Sequence, residues 1–264
     1  FILMLPEDGI LVINQDDTYC MEVLDDVIDE LQRKNVRVLK FSLSDPDAHI
    51  YAKNFKVNMK GFYTFDVIDP RNGKSYNFYL TVPGIHNVYD ALAAITTCYA
   101  YGIDFTSMKK SLSRFSGAKR RFEYKKKIAK GVELYDDYAH HPTEIKATLS
   151  ACMNVPHNKL WCLFQPHTYT RTLALFDEFA ESFDKVDELI IAEIYAAREK
   201  NIYKISSAQL ADKIKELHPQ KSVRYIEDFD GIAEYVKENA QRGDLVLSMG
   251  AGDIYKVGEL ILEK

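Results

Sequence analysis

The chain has 264 residues, 47% of them hydrophobic, and a formal net charge of −5 at pH 7. That length and apolar content suit one large or two ordinary packed domains and exclude a disordered or fibrous chain. Mild acidity argues against nonspecific nucleic-acid binding, which rests on basic clusters. The basic run Lys119-Arg120-Arg121 followed by Lys125-Lys126-Lys127 reads as an exposed strand face. No apolar run is long enough to span a membrane, and residues 1–5 are too short and lack the basic flank of a signal peptide. The four cysteines, Cys20, Cys98, Cys152 and Cys162, sit in apolar contexts without a C-x-x-C pair. They predict buried free thiols in a reducing compartment, and hence a cytoplasmic protein. A chain that enters a strand pattern directly from Phe1 reads as starting inside a longer protein.

In chain order, residues 9–14 predict a buried strand, 18–33 a helix and 36–43 the next strand, an α/β unit. Residues 51–57, 61–68 and 76–82 alternate in the manner of strands, with Asn72-Gly73 as a hairpin signal between the last two. Gly73-Lys74-Ser75 resembles the end of a phosphate loop, but Ile68 occupies the place of the required glycine and a strand follows instead of a helix. We reject it as a phosphate loop. Pro83-Gly84-Ile85-His86-Asn87 opens a helix to about residue 101, and spacing alone makes Asn87 its N-cap. The other reading puts His86 and Asn87 on a base or ribose. A short helix follows over 104–113.

Ser116-Gly117-Ala118-Lys119-Arg120-Arg121-Phe122 marks a boundary: a glycine turn, a basic cluster, then strands. Arginines there suit phosphates by their forked geometry, or belong to a solvated linker. The densest chemistry comes next, in Tyr135-Asp136-Asp137-Tyr138-Ala139-His140-His141-Pro142-Thr143-Glu144. An alternating run ends in paired carboxylates and paired imidazoles. Pro142 suits a first helical turn, Thr143 a cap, and Glu144 the positive helix end. Taken singly, each residue reads as an ordinary turn residue. Together they lie on the turn beyond the C-terminal end of a strand, where open α/β sheets bind ligands.

From there strand and helix alternate: strands over 160–164, 188–194, 223–226 and 244–249, and helices over 171–183, 207–217, 229–241 and 253–262. Continuous apolar strands separated by helices predict a mostly parallel sheet covered on both faces. The strand ends lead into His167 to Arg171, into Arg198, and into Gly250-Ala251-Gly252-Asp253. The last lacks the third glycine of a dinucleotide fingerprint and reads as a tight turn whose amides suit an anion. With Asp137 and His140, these ends predict a site for an anionic small molecule. The fold expectation is therefore α/β throughout, an α/β part over 1–116 followed by a Rossmann-like, mostly parallel domain over 117–264.

The segments PGIHNVYDALAAI, GAKRRFE, DDYAHHPTEI, FQPHTYTRT, EIYAARE and SMGAGDI resemble, in order, those of the Mur ligase family. The resemblance covers nearly the whole chain. It implies the latter part of a central ATP-binding domain and a complete C-terminal amino-acid-binding domain, with the phosphate loop and most magnesium ligands outside this chain. The implied reaction uses ATP and Mg2+ to phosphorylate the lactyl carboxylate of UDP-N-acetylmuramate, and the amine of L-alanine then attacks the acyl phosphate. The resemblance implies that Asn87 and Asp90 lie near adenine, Arg121 on the nucleotide and Asp137 on the ribose. Tyr138, His140, His167 and Arg171 form the amino-acid set, with His140 and Arg171 as its catalytic members and Arg198 beside them. Asp90 stands where the family usually has Asn, and an Asp cannot donate an amide proton. Thr168 stands where many relatives carry Arg. Two other readings remain: a related ligase acting on a peptide, and a non-catalytic nucleotide- or amino-acid-binding module.

Overall fold

The computed structural model describes residues 1–128 and 130–263. The chain divides into two compact units, Phe1–Ser116 and Gly117–Lys264.

The first unit runs from a short 3-10 turn into β1 (Ile10–Asn14), α1 (Thr18–Arg33), β2 (Arg37–Ser42), β3 (Ile50–Val57), β4 (Phe62–Ile68), β5 (Ser75–Pro83), α2 (Ile85–Ala100) and α3 (Phe105–Leu112). Asp17 starts α1 by accepting from the Cys20 amide at 2.9 Å, and Asn35, at φ 54, turns the chain out of it. The sheet order is β1-β2-β3-β4-β5, parallel as far as β3 and antiparallel after it. Because strand side chains alternate between faces, Leu11 and Ile13 pack with Leu24 and Leu31 of α1. Val12 and Phe41 instead join Val88, Leu92 and Ile95 of α2.

One expectation changes here. Asn87 is not the N-cap of α2: Gly84, at φ 97, is. That left-handed conformation lets the chain enter the helix early, so Asn87 sits in the first turn and its amide donates to the Pro83 carbonyl at 2.7 Å. As expected, no helix follows Gly73-Lys74-Ser75: Gly73 and Lys74 lie in the β4–β5 connection, where the amide of Gly73, at φ 72, donates to the Asp69 carbonyl, and Ser75 begins β5. At the ends of β1 and β2, Asp16 accepts from Ser44 Oγ, the Leu43 amide and Tyr89 Oη at 2.7, 2.7 and 3.1 Å, and from Ser42 Oγ. Burial alone would raise its pKa, but these donors together hold it below the usual carboxylate range. Tyr89, desolvated and facing that carboxylate, is pushed up to about 12.

The second unit comprises β6 (Glu123–Lys127), β7 (Glu133–Asp137), α4 (Pro142–Cys152), β8 (Leu160–Phe164), α5 (Tyr169–Ala174), α6 (Phe176–Ala180), β9 (Glu188–Ile191), α7 (Ser207–Leu217), β10 (Ser222–Tyr225), α8 (Phe229–Asn239), β11 (Leu245–Met249) and α9 (Tyr255–Leu262). The sheet order is β10-β9-β8-β11-β7-β6, all parallel except the antiparallel edge strand β6. Every residue of β8 and β11 is buried, because helices cover both faces. Leu160, Cys162 and Phe164 face Ile145 and Leu149 of α4, Phe179 of α6 and Leu210 of α7. Trp161 and Leu163 face Ile232 and Val236 of α8 and Val257 of α9. The chain steps outward from β8 to β10 and returns through α8 to place β11 between β7 and β8. The C-terminal ends of β7, β11, β8 and β9 therefore lie side by side.

Two further corrections belong to this unit, and a third concerns the cysteines of the first. The helix expected over 171–183 is two short helices broken at Leu175, whose backbone (φ −115, ψ 26) ends one and begins the other. No glycine or proline announces the break; it accompanies the seating of Phe179 and Phe183 in the core. Thr143 does not cap α4; His141 does, with Glu144 closing a capping box. Of the cysteines, Cys152 and Cys162 are buried but Cys20 and Cys98 are only half-buried.

Gly258 lies inside α9 with no atom within 4 Å of where a Cβ would stand, beside a cavity of about 30 Å3. Helical glycine is entropically costly. Gly258→Ala is therefore expected to stabilise the chain by about 1 kcal/mol, read as a higher denaturant midpoint. A lowered midpoint would contradict this packing.

Candidate functional site

The site of the second unit is built on one buried carboxylate. Asp137, the last residue of β7, is 5% exposed. Its Oδ2 accepts from the Phe122 amide at 2.7 Å, and its Oδ1 from the Ala139 amide at 2.7 Å and Thr148 Oγ1 at 3.2 Å. Burial raises its pKa against those hydrogen bonds and the charge of Arg121. A carboxylate offers roughly four lone-pair sites, so the chain itself fills most of them. Asp136 beside it is also raised by burial, opposed by Ser248 and Arg120.

Beyond Asp137 the chain presents Tyr138, His140 and His141. The two imidazoles are fixed in opposite tautomers by what they touch. His140 Nδ1 lies 2.9 Å from the Tyr138 carbonyl, which can only accept, and 3.3 Å from Glu144 Oε2, so Nδ1 carries a proton and the neutral form of the ring presents its lone pair on Nε2, which has no partner among the described residues. His141 Nδ1 accepts from the Thr143 amide at 3.3 Å, so its proton is on Nε2. His141 is thus a helix cap, and His140 is the imidazole offered outward. Glu144 Oε2 secures both backbones, accepting from the His140 and His141 amides at 3.0 and 3.2 Å.

His167 and Arg171 arrive from the end of β8 and the start of α5. Across the strand ends, the His140 and His167 rings meet edge to face at 5.8 Å, and His167 stacks on Tyr195 at 5.5 Å and 15°. Arg171 Nη1 donates to the His167 carbonyl at 3.1 Å and faces its Nδ1 at 3.3 Å. Burial first, then the permanent charge of Arg171, push the His167 pKa below 6.5, and His140 adds to this only in its protonated form. Arg171 is therefore the permanent cation of the pair. Among the described residues its Nε and Nη2 have no partner, which leaves two donors for a carboxylate.

Structure and expectation part at several positions. Tyr138, His140, His167 and Arg171 are brought together; Arg198 is exposed, with no partner among the described residues. Arg121 is exposed, its guanidinium 5.6 Å from the Tyr138 ring. In the first unit, the exposed Asp90 lies one turn beyond Asn87 on α2. The turn after β11 is not an open anion cradle. Gln165 Oε1 accepts from the Asp253 and Ile254 amides at 2.9 and 3.1 Å, and the Gly250 amide donates to the Asp137 carbonyl. A Cβ on Gly252 would stand 2.4 Å from that oxygen and 2.7 Å from Tyr195 Cγ, so only glycine fits. Sequence reading missed Gln165, Tyr195, Glu199 and Arg120. Glu199 accepts from the Thr170 amide at 2.9 Å and ties the β9 loop to α5. For the first three the one sequence signal was position beside a strand end; Arg120 was seen only as part of the boundary cluster, read as a phosphate contact or a solvated linker, whereas its guanidinium bonds within the protein.

No three His, Cys, Asp or Glu side chains gather as a metal set among the described residues. No helix is long and apolar enough to cross a membrane.

This arrangement is an α/β unit with an imidazole and a partly unclaimed guanidinium gathered at the C-terminal ends of parallel strands, the place where open α/β sheets bind ligands. Comparison with known proteins narrows it. Residues 120–252 match the model of the Mur ligase glutamate ligase domain, and residues 1–98 match the Mur ligase middle domain. The chain belongs to the Mur ligase family. It is 44% identical over 263 residues to UDP-N-acetylmuramate–L-alanine ligase of Acetivibrio thermocellus, covering 100% of this chain and 54% of that relative. The chain thus spans about half the length of the curated relatives it matches. Among solved structures it is similar to UDP-N-acetylmuramate-alanine ligase from Thermotoga maritima, with a TM-score of 0.71 at 22% identity over 97% of this chain and 59% of that one. It is similar also to MurF ligase from Thermotoga maritima in complex with ADP, with a TM-score of 0.66 at 17% identity over 97% of this chain and 53% of that one.

The lowered His167 pKa gives a pH prediction. A histidine depressed in the folded state favours the neutral form there. Its contribution to stability is present above 6.5 and is lost as pH falls from that value through the folded pKa. In an NMR titration the His167 ring is expected to have its midpoint below 6.5, and a midpoint above that value would contradict the packing against Arg171.

Proposed function

We propose that this chain supplies the nucleotide-contacting and amino-acid-binding parts of an ADP-forming, cytoplasmic UDP-N-acetylmuramate–L-alanine ligase of peptidoglycan precursor synthesis. The observation that carries the reading is the half-buried Arg171, with two unclaimed donors, joined through His167 to His140, whose Nε2 has no partner among the described residues. Similarity to named alanine ligases at 44% identity supports it. An amino acid that is to be acylated needs its carboxylate neutralised and its amine presented without a proton. A guanidinium fork and a neutral imidazole supply those two requirements.

Arg171 receives the carboxylate of L-alanine. His140 Nε2 accepts a proton from its amine, and Tyr138 and His167 flank it. The neutral His167 orients Arg171 without adding a second charge. Arg121 faces the nucleotide phosphates, and Asp137 offers its remaining acceptor capacity to the ribose. Asn87 and Asp90 face the adenine. The amide of Asn87 is already given to the Pro83 carbonyl, which leaves its oxygen for the base. ATP, with magnesium, supplies activation of the lactyl carboxylate as an acyl phosphate; the residues here position the amine that attacks it. No acidic set for the metal gathers among the described residues, so no step is assigned to this chain's side chains through it.

The experiment is phosphate release by a ligase of the relatives' full length carrying this chain. Release is expected to require L-alanine. Arg171→Ala and His140→Ala are each expected to raise the KM for alanine by about tenfold to a hundredfold, the scale at which lost positioning is felt. Unchanged alanine dependence in both variants would remove the assignment. Release driven by a peptide in place of alanine would favour the related murein peptide ligase activity.

A further inference from the structure

Arg120 has no part in the reading above, yet its side chain is engaged on several sides. Its Nε donates to Asp136 Oδ2 at 2.9 Å, its Nη2 to the Gly250 carbonyl at 2.6 Å, and its Nη1 to the Gly252 carbonyl at 3.2 Å. The guanidinium carbon stands 5.0 Å from the Tyr138 ring and 4.8 Å from the Tyr255 ring. Its backbone is occupied as well. The Arg120 amide donates to Glu123 Oε2 at 2.9 Å, and its carbonyl accepts from the Tyr138 amide at 2.7 Å.

We propose that Arg120 is a positioning residue for alanine binding, fixing Tyr138 by backbone and ring together. The inference rests on the assignment of Tyr138 to the amino-acid site. Tyr138 is 36% exposed, and its hydroxyl has no partner among the described residues. Among the described residues, its aromatic and cation–π contacts are the guanidiniums of Arg120 and Arg121 and the edge of His140 at 5.5 Å. Of these, Arg120 alone is anchored on several sides. The anchors belong to different strand ends: Asp136 to β7, and the two glycine carbonyls to the turn after β11. Arg120 therefore transmits the rigidity of the sheet to a tyrosine that is otherwise half in solvent. A lysine keeps the charge but cannot reach a carboxylate and two carbonyls with one point donor.

The test compares Arg120→Lys and Arg120→Met with the parent in a ligase of the relatives' full length carrying this chain, with thermal unfolding measured alongside. Both variants are expected to raise the KM for alanine by about tenfold or more with a much smaller change in kcat, and lysine is expected not to rescue. Hydrogen exchange of the Tyr138 amide in this chain is read in parallel and should be faster in Arg120→Lys. A lowered unfolding temperature with unchanged KM would make Arg120 a structural staple and overturn the proposal. So would unchanged exchange at Tyr138. If the parent itself releases no alanine-dependent phosphate, the functional reading fails and the alanine-positioning role with it; exchange at Tyr138 then decides only whether the mechanical link exists.

Discussion

The second unit depends on the carboxylate of Asp137. A buried carboxylate is costly unless its oxygens are met, and here they are met by the Phe122 amide from before β6, the Ala139 amide from the turn and Thr148 Oγ1 from α4. One side chain thus joins the entry to the unit, the end of β7 and the helix that follows. The same residue's carbonyl accepts from the Gly250 amide of the turn after β11. Removing that carboxylate would release the platform on which Tyr138 and His140 stand.

Around this joint the strand ends are tied to each other rather than left as loose loops. Gln165 bridges β8 to the turn after β11, and Arg120 bridges β7 to the same turn. Glu199 holds the β9 loop to α5. These ties use up the polar groups that a casual reading would assign to ligands, including the glycine-turn amides. Among the described residues, what remains uncommitted at these strand ends includes Nε2 of His140, two donors of Arg171, the Tyr138 hydroxyl, and the exposed guanidiniums of Arg121 and Arg198. Sites that must hold reactants to within fractions of an ångström are built this way, with the supporting contacts satisfied inside the protein.

Most of the architecture was legible because its signals are local. Continuous apolar runs gave β8 and β11, and the bounds of α1, α7 and β8 were readable to the residue. The Asp-Asp-Tyr-Ala-His-His stretch marked the site because a strand end and a helix start meet there. The failures have local causes too. At Asn87 and Thr143 several capping residues stood in line, and the winner was set by the φ of Gly84 in one case and by the His141–Glu144 box in the other. The break at Leu175 follows from how Phe179 and Phe183 enter the core, which no turn residue announces. The role of Arg120 was invisible for another reason. Its carbonyl partners lie 130 and 132 residues away, and backbone acceptors leave no mark on side-chain identity.

The central claim is that the uncommitted groups present an amine to an activated carboxylate, so the most direct measurement follows the oxygen of that carboxylate. UDP-N-acetylmuramate labelled with heavy oxygen in its lactyl carboxyl group would be turned over with ATP and L-alanine by a ligase of full family length carrying this chain. The account predicts that each released phosphate carries one labelled oxygen from the carboxylate, as passage through an acyl phosphate requires. Unlabelled phosphate accompanying amide formation would contradict it.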